Sequence, residues 1–162
     1  MKKLVYTLLS EGYAESSFIP VLLNKIGENH SLRFVRSSLS IKPSSNPSKS
    51  KVKANIVEFA SQSLVIKNED LFIFGYDLDA QDVSGELLEK EVFEIQEKIK
   101  QFDNLKIAYF IPIQCFDHWL VYQIKKSGKA KQHAAGSLEK SSCKEMKKDL
   151  YGDQNKIPDI EK

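Results

Sequence analysis

The strongest constraint on this chain is a rhythm. Short apolar runs rich in β-branched and aromatic residues alternate with stretches of helical periodicity. Leu4 to Leu9, Leu71 to Tyr76 and Ile107 to Ile113 are the three apolar runs, each about as long as a buried strand. Leu32 to Arg36, in which Arg33 separates Leu32 from Phe34, reads like a further strand. Between them lie Phe18, Val21, Leu22 and Ile26, then Ile56, Val57, Ala60 and Leu64, then Leu88, Val92, Ile95 and Ile99, all at helical spacing. Strand and helix in regular alternation predict an α/β, Rossmann-like fold, with a mostly parallel central sheet and helices on both faces.

Finer boundaries follow from local chemistry. Glu15-Ser16-Ser17 offers the first helix its start and Gly27 its end. Pro20 suits that helix only in the first turn, where a missing N–H costs little. Residues 37–53 are rich in Ser, Lys and Pro and read as a mobile loop. Glu86–Lys90 and Glu94–Lys98 supply i, i+4 pairs on the third helix. Another helix is expected from near Phe116, followed by a loop over 127–137 and a basic helix over 138–150. The division is thus a 1–126 α/β domain and a 127–162 basic helical extension of it.

A chain of 162 residues, 41% hydrophobic and 28% charged, suits one soluble domain with a real core. No stretch reaches the roughly 20 apolar residues of a membrane helix. The apolar start is too brief for a signal peptide and meets Ser10-Glu11-Gly12 rather than a cleavage site. Cys115 and Cys143 lack metal-type spacing, so a cytoplasmic protein with free thiols is expected. Net charge is only +2, but eight lysines between Lys125 and Lys148 face two glutamates, a local balance of +6 that leaves the remainder net acidic. That asymmetry suits a phosphate-bearing partner beside an acidic centre, and equally a solvated lysine-rich helix.

The acidic candidates stand at strand ends. In open parallel sheets, binding sites form outside the carboxyl ends of the strands. Glu11 follows the first strand, and Asp77 and Asp79 follow the run at 71–76. If those two strands are neighbours, about 4.8 Å apart, Glu11 and Asp77 can reach one ion. Asp77 and Asp79 are two residues apart and share a face of extended backbone. Glu15, in the first helical turn, can turn toward the same place. Clustered carboxylates repel unless a cation sits among them, and hard oxygen ligands point to Mg2+ or Mn2+. Acidic residues also cap helices and populate turns without any such role. His118, His30 and His133 have no spaced companion, Trp119 reads as core, and Tyr13 and Tyr76 flank the expected pocket where a base can stack.

Glu11-Gly12-Tyr13-Ala14-Glu15 after one strand and Asp77-Leu78-Asp79 after another resemble the Toprim signature, over most of residues 3–126. Topoisomerases, primases and overcoming-lysogenization-defect nucleases share that domain. Ile113-Gln114-Cys115-Phe116-Asp117-His118-Trp119-Leu120 is similar to the F-E-x-W-L segment of RloB-like Toprim proteins of bacterial defence loci, with Asp117 where the family has glutamate. The Lys144 to Tyr151 stretch, with its lysines and Leu150-Tyr151-Gly152, is similar to that family's tail. The resemblance implies phosphodiester chemistry on DNA or RNA, with Glu11, Asp77 and Asp79 catalytic and Glu11, Glu15, Asp77, Asp79 and Asp117 toward Mg2+ or Mn2+. Lys125, Lys126, Lys129 and Lys131 would grip the nucleic acid, and a single domain of this size suits hydrolysis. A non-catalytic or partner-dependent module and a magnesium-dependent phosphatase stay open, as do a protein partner in a defence complex and a homo-oligomer. Receiver and haloacid-dehalogenase folds, however, place an aspartate nucleophile where this chain has Glu11.

Overall fold

In the computed structural model, residues 1–37, 48–78 and 85–113 are described. They form β1 (Lys2–Ser10), α1 (Tyr13–His30), β2 (Leu32–Arg36), α2 (Lys49–Ala60) with a π-helical turn (Ser61–Ile66), β3 (Leu71–Gly75), α3 (Glu86–Ile99), a 3-10 turn (Asn104–Lys106) and β4 (Ile107–Phe110). The sheet is four-stranded in the order β2-β1-β3-β4, and every pairing is parallel. The fold is the expected α/β class, a Rossmann-like parallel sheet flanked by helices.

Side-chain alternation along the strands sorts the core into two layers. Tyr6, Leu8 and Ile73 face one way and pack with Ile19 and Leu23 of α1. Leu9, Phe72, Phe74 and Tyr76 face the other way and pack with Val52, Ile56, Phe59 and Ala60 of α2, Leu64 of the π turn, and Ile95 and Ile99 of α3. Phe72, Phe74, Ile56 and Ile95 have no exposed surface, so each contributes about 1.5–3 kcal/mol of apolar burial. Phe72 stacks on Phe74 and Phe74 on Tyr109, with centroids 5.6 and 5.5 Å apart.

The sheet is staggered along β1. Lys2 to Tyr6 pair with Leu32 to Arg36, and Tyr6 to Ser10 pair with Leu71 to Gly75, so only Tyr6 is paired on both sides. Where β3 begins, Asp70 completes the edge with its side chain. Val5 N–H donates to Asp70 Oδ2 at 2.8 Å, and Asp70 N–H donates to the Val5 carbonyl at 3.0 Å.

Three boundaries differ from expectation. Helix α1 starts at Tyr13, because extended Gly12 serves as its N-cap (φ −115°, ψ 169°). It runs past Gly27 to His30, and Ser31 takes the left-handed turn instead (φ 55°), its N–H donating to the Gly27 carbonyl. Gly27 has a packing reason: a Cβ there would lie 2.6 Å from the Leu32 carbonyl oxygen, where the chain turns back into β2. Pro20 lies inside the helix rather than in its first turn, so α1 carries the missing donor mid-length. Residues 49–53, expected in the loop, are the first turn of α2. Glu94 pairs not with Lys98 but with Lys53 of α2, at 3.2 Å.

The chain divides into two compact units. The first is Met1–Tyr76 with Ser84–Ile111 and holds the sheet. The second comprises Asp77–Val83 and Pro112–Lys162. In it Leu78 N–H donates to the Pro112 carbonyl at 2.8 Å. Among the described residues, no helix is long and apolar enough to cross a membrane.

Candidate functional site

The topology itself marks a place. From β1 the chain crosses to β2 on one side, and from β3 it crosses to β4 on the other. In doubly wound sheets such a divergence, at the carboxyl ends of the two strands, is where ligands bind; here it falls at β1 and β3. The neighbour relation on which the expected site depends, β1 beside β3, is present, with Ser10 opposite Gly75.

Glu11 stands at that position. It is half-buried, and its N–H donates to the Gly75 carbonyl at 3.3 Å, extending the β1–β3 ladder by one step. Gly12 then turns the chain into α1. A Cβ on Gly12 would meet the tip of the Glu15 side chain, which would have to swing aside. Glu15 is 3% exposed, in the first turn of α1, with its carboxylate folded back against Gly12. A carboxylate there is favoured by the helix dipole.

Asp77 is the first residue of the second unit. Asp79, Asp117, His118 and His133 lie outside the described residues, as do Trp119, the cysteines, Lys125, Lys126, Lys129, Lys131 and the side chain of Tyr13. Among the described residues, no three acidic, histidine or cysteine side chains come together as a metal-holding group.

Tyr76 has a different place from the one expected. It is fully buried, so its ring is no stacking platform. Its hydroxyl donates to Glu91 Oε1 of α3 at 2.7 Å, and Lys53 Nζ of α2 lies 2.5 Å from the same oxygen. Lys49 Nζ sits 5.7 Å from the centre of the Tyr76 ring. Burial raises the Tyr76 pKa, and the Glu91 hydrogen bond and the charges of Glu91 and Glu94 raise it further, keeping the phenol protonated. For Glu91, burial pulls the pKa upward, but hydrogen bonds from Lys53 and Tyr76 with the Lys53 and Lys49 charges outweigh it, and the net shift is down. Burial pulls Lys53 down, and its bonds to Glu91 and Glu94 reverse that into a net rise.

A second buried carboxylate lies at the amino end of β3. Glu69 accepts hydrogen bonds from Thr7 Oγ1 at 2.6 Å, Ser63 Oγ at 2.7 Å and Ser37 Oγ. It joins β1, the π turn and the exit of β2. Sequence reading missed both clusters. Glu91 left a trace, an acid between Leu88 and Ile95 on the apolar stripe of α3. Glu69, in the polar stretch Lys67 to Asp70, left none.

No known protein family, curated protein or solved structure matches the chain.

Proposed function

We propose that this chain is a divalent-metal-dependent nuclease, hydrolysing phosphodiester bonds in DNA or RNA, with Glu11 at its centre. The observation that carries the reading is the position of Glu11 at the carboxyl end of the central strand β1, at the β1/β3 divergence and directly before the Gly12 N-cap of α1. Asp77 and Asp79 join it from the sequence pattern. Their carboxylate oxygens, with Glu11, are the hard donors that suit Mg2+ or Mn2+. When bound, such an ion supplies charge stabilisation at the scissile phosphate. The Glu11 carboxylate has the complementary task of accepting a proton from the attacking water or returning one to the leaving oxygen. Glu15, tucked against Gly12, supports the turn from which Glu11 projects. Lys125, Lys126, Lys129 and Lys131 hold flanking phosphates, and Asp117 with its neighbours extends the reading to the defence nucleases that its segment resembles.

The test is cleavage of labelled single-stranded, duplex and structured DNA and RNA with Mn2+ or Mg2+, with a chelator control. Glu11→Gln keeps the shape but removes the charge, and is expected to lower the rate by about a hundredfold or more while nucleic-acid binding survives. Asp79→Asn is expected to act alike, His118→Ala far less. A large loss in Asp117→Asn supports the defence-nuclease resemblance. Glu11→Gln cleaving as well as the unmodified protein removes Glu11 from the chemistry. No cleavage by the unmodified protein on any substrate overturns the nuclease reading in favour of a non-catalytic module, or of a phosphatase if small phosphoesters are hydrolysed.

A further inference from the structure

Strand β3 places Phe72, Phe74 and Tyr76 on one face, and the two phenylalanines fill the core without polar atoms. A third phenylalanine would fill the space equally well. The hydroxyl of Tyr76 instead obliges the fold to bury part of Glu91, and Glu91 in turn draws in Lys53, which is further held by Glu94 at 3.2 Å. Half-buried ion pairs of this kind contribute little net stability compared with apolar packing, but their charge-assisted hydrogen bonds are directional. Here three elements meet at one phenol: the exit of β3, the first half of α2 through Lys53, and the middle of α3 through Glu91. Tyr76 is also the last residue of the sheet unit. The next Cα, about 3.8 Å along the chain, belongs to Asp77.

We infer that Tyr76, locked by Glu91 and Lys53, is a positioning residue for Asp77: it fixes the backbone from which that carboxylate departs. The inference rests on the metal-ligand reading of Asp77. An error of about 1 Å in a reacting group can cost a hundredfold in rate, so a rigid departure point is a functional asset that an apolar ring does not supply.

The experiment compares Tyr76→Phe, which keeps the ring, with the unmodified full chain by two readouts. The first is amide hydrogen exchange at Leu78, whose N–H is bonded to the Pro112 carbonyl, against Phe72 and Phe74 within β3. Loss of one hydrogen bond to a charged acceptor is expected to speed exchange at Leu78 by about tenfold, with β3 changing much less. The second is the Mn2+ concentration giving half of the metal-dependent rise in melting temperature, expected to increase several-fold. Glu91→Gln, which weakens the hold on the phenol without removing it, should move the same amide in the same direction by less. Equal acceleration at Leu78, Phe72 and Phe74 means general loosening and overturns the inference, as does an unchanged Mn2+ midpoint. If Mn2+ does not shift the melting of the unmodified protein, the metal reading of Asp77 falls, while the exchange result still decides whether Tyr76 fixes the backbone beyond β3.

Discussion

Glu69 illustrates what a single residue can conceal from sequence. Its neighbours Lys67, Asn68 and Asp70 are those of an ordinary turn, yet its carboxylate lies 6% exposed among three hydroxyl donors. The donors come from Thr7, Ser37 and Ser63, so the cluster exists only once β1, the end of β2 and the π turn have assembled. Glu69→Ala removes the carboxylate on which three buried hydroxyls converge, and is expected to cost about 3 kcal/mol in urea unfolding. Glu58→Ala, on the exposed face of α2, should stay within about 0.5 kcal/mol. Glu69→Gln should fall between, since its amide nitrogen confronts hydroxyl donors with another donor. Glu11 is the opposite case: a carboxylate directly after an apolar run in a parallel fold is readable, because the end of a strand is itself a place. Tyr76 was readable as the end of a buried run near that edge, but not the bond it makes, since only the partner on α3 settles which way its hydroxyl goes.

At the scale of elements, the strands and helices were legible because apolar spacing reports burial, and burial dominates their stability. Their ends were less so. Gly27 reads as a stop, yet the close approach of the Leu32 carbonyl, a contact made later in the chain, explains it. Pro20 is tolerated within α1 because Ile19 and Leu23 bury that helix on the sheet. The tie between α2 and α3 has a pH signature. The lowered pKa of Glu91 contributes stability that is present above the ordinary carboxylate value of 4.5 and is lost as pH falls through the shifted one. The raised pKa of Lys53 contributes stability that is present below 10.5 and is lost as pH climbs through the shifted value. Melting temperature plotted against pH is therefore expected to be flat between these limits and to fall outside them. Glu91→Gln should flatten the acid limb in particular, and an unchanged acid limb would assign it to other carboxylates.

For the whole molecule, the sequence conveys charge more fully than shape. The excess of lysine between Lys125 and Lys148 against an acidic remainder is plain from the sequence, whereas the division into two units with Asp77 opening the second is not, because it depends on contacts between distant segments. If the lysines hold phosphates, the logarithm of nucleic-acid affinity should fall linearly with the logarithm of salt, by about 0.9 per duplex contact or 0.7 per single-strand contact. Changing Lys125, Lys126, Lys129 and Lys131 to Glu should flatten that slope, and an unchanged slope returns the segment to a solvated surface. The stagger of the sheet reaches beyond the finished protein to its synthesis. The first half of β1 finds its partner as soon as β2 leaves the ribosome, but the second half, Tyr6 to Ser10, waits until Leu71 to Gly75 have been translated. Through that interval Thr7, Leu8 and Leu9 have no β3 beside them, and an apolar strand with unpaired backbone invites pairing with another nascent chain. Slowing translation between β2 and β3 should therefore raise the aggregated fraction of this protein, whereas slowing it after β4 should not.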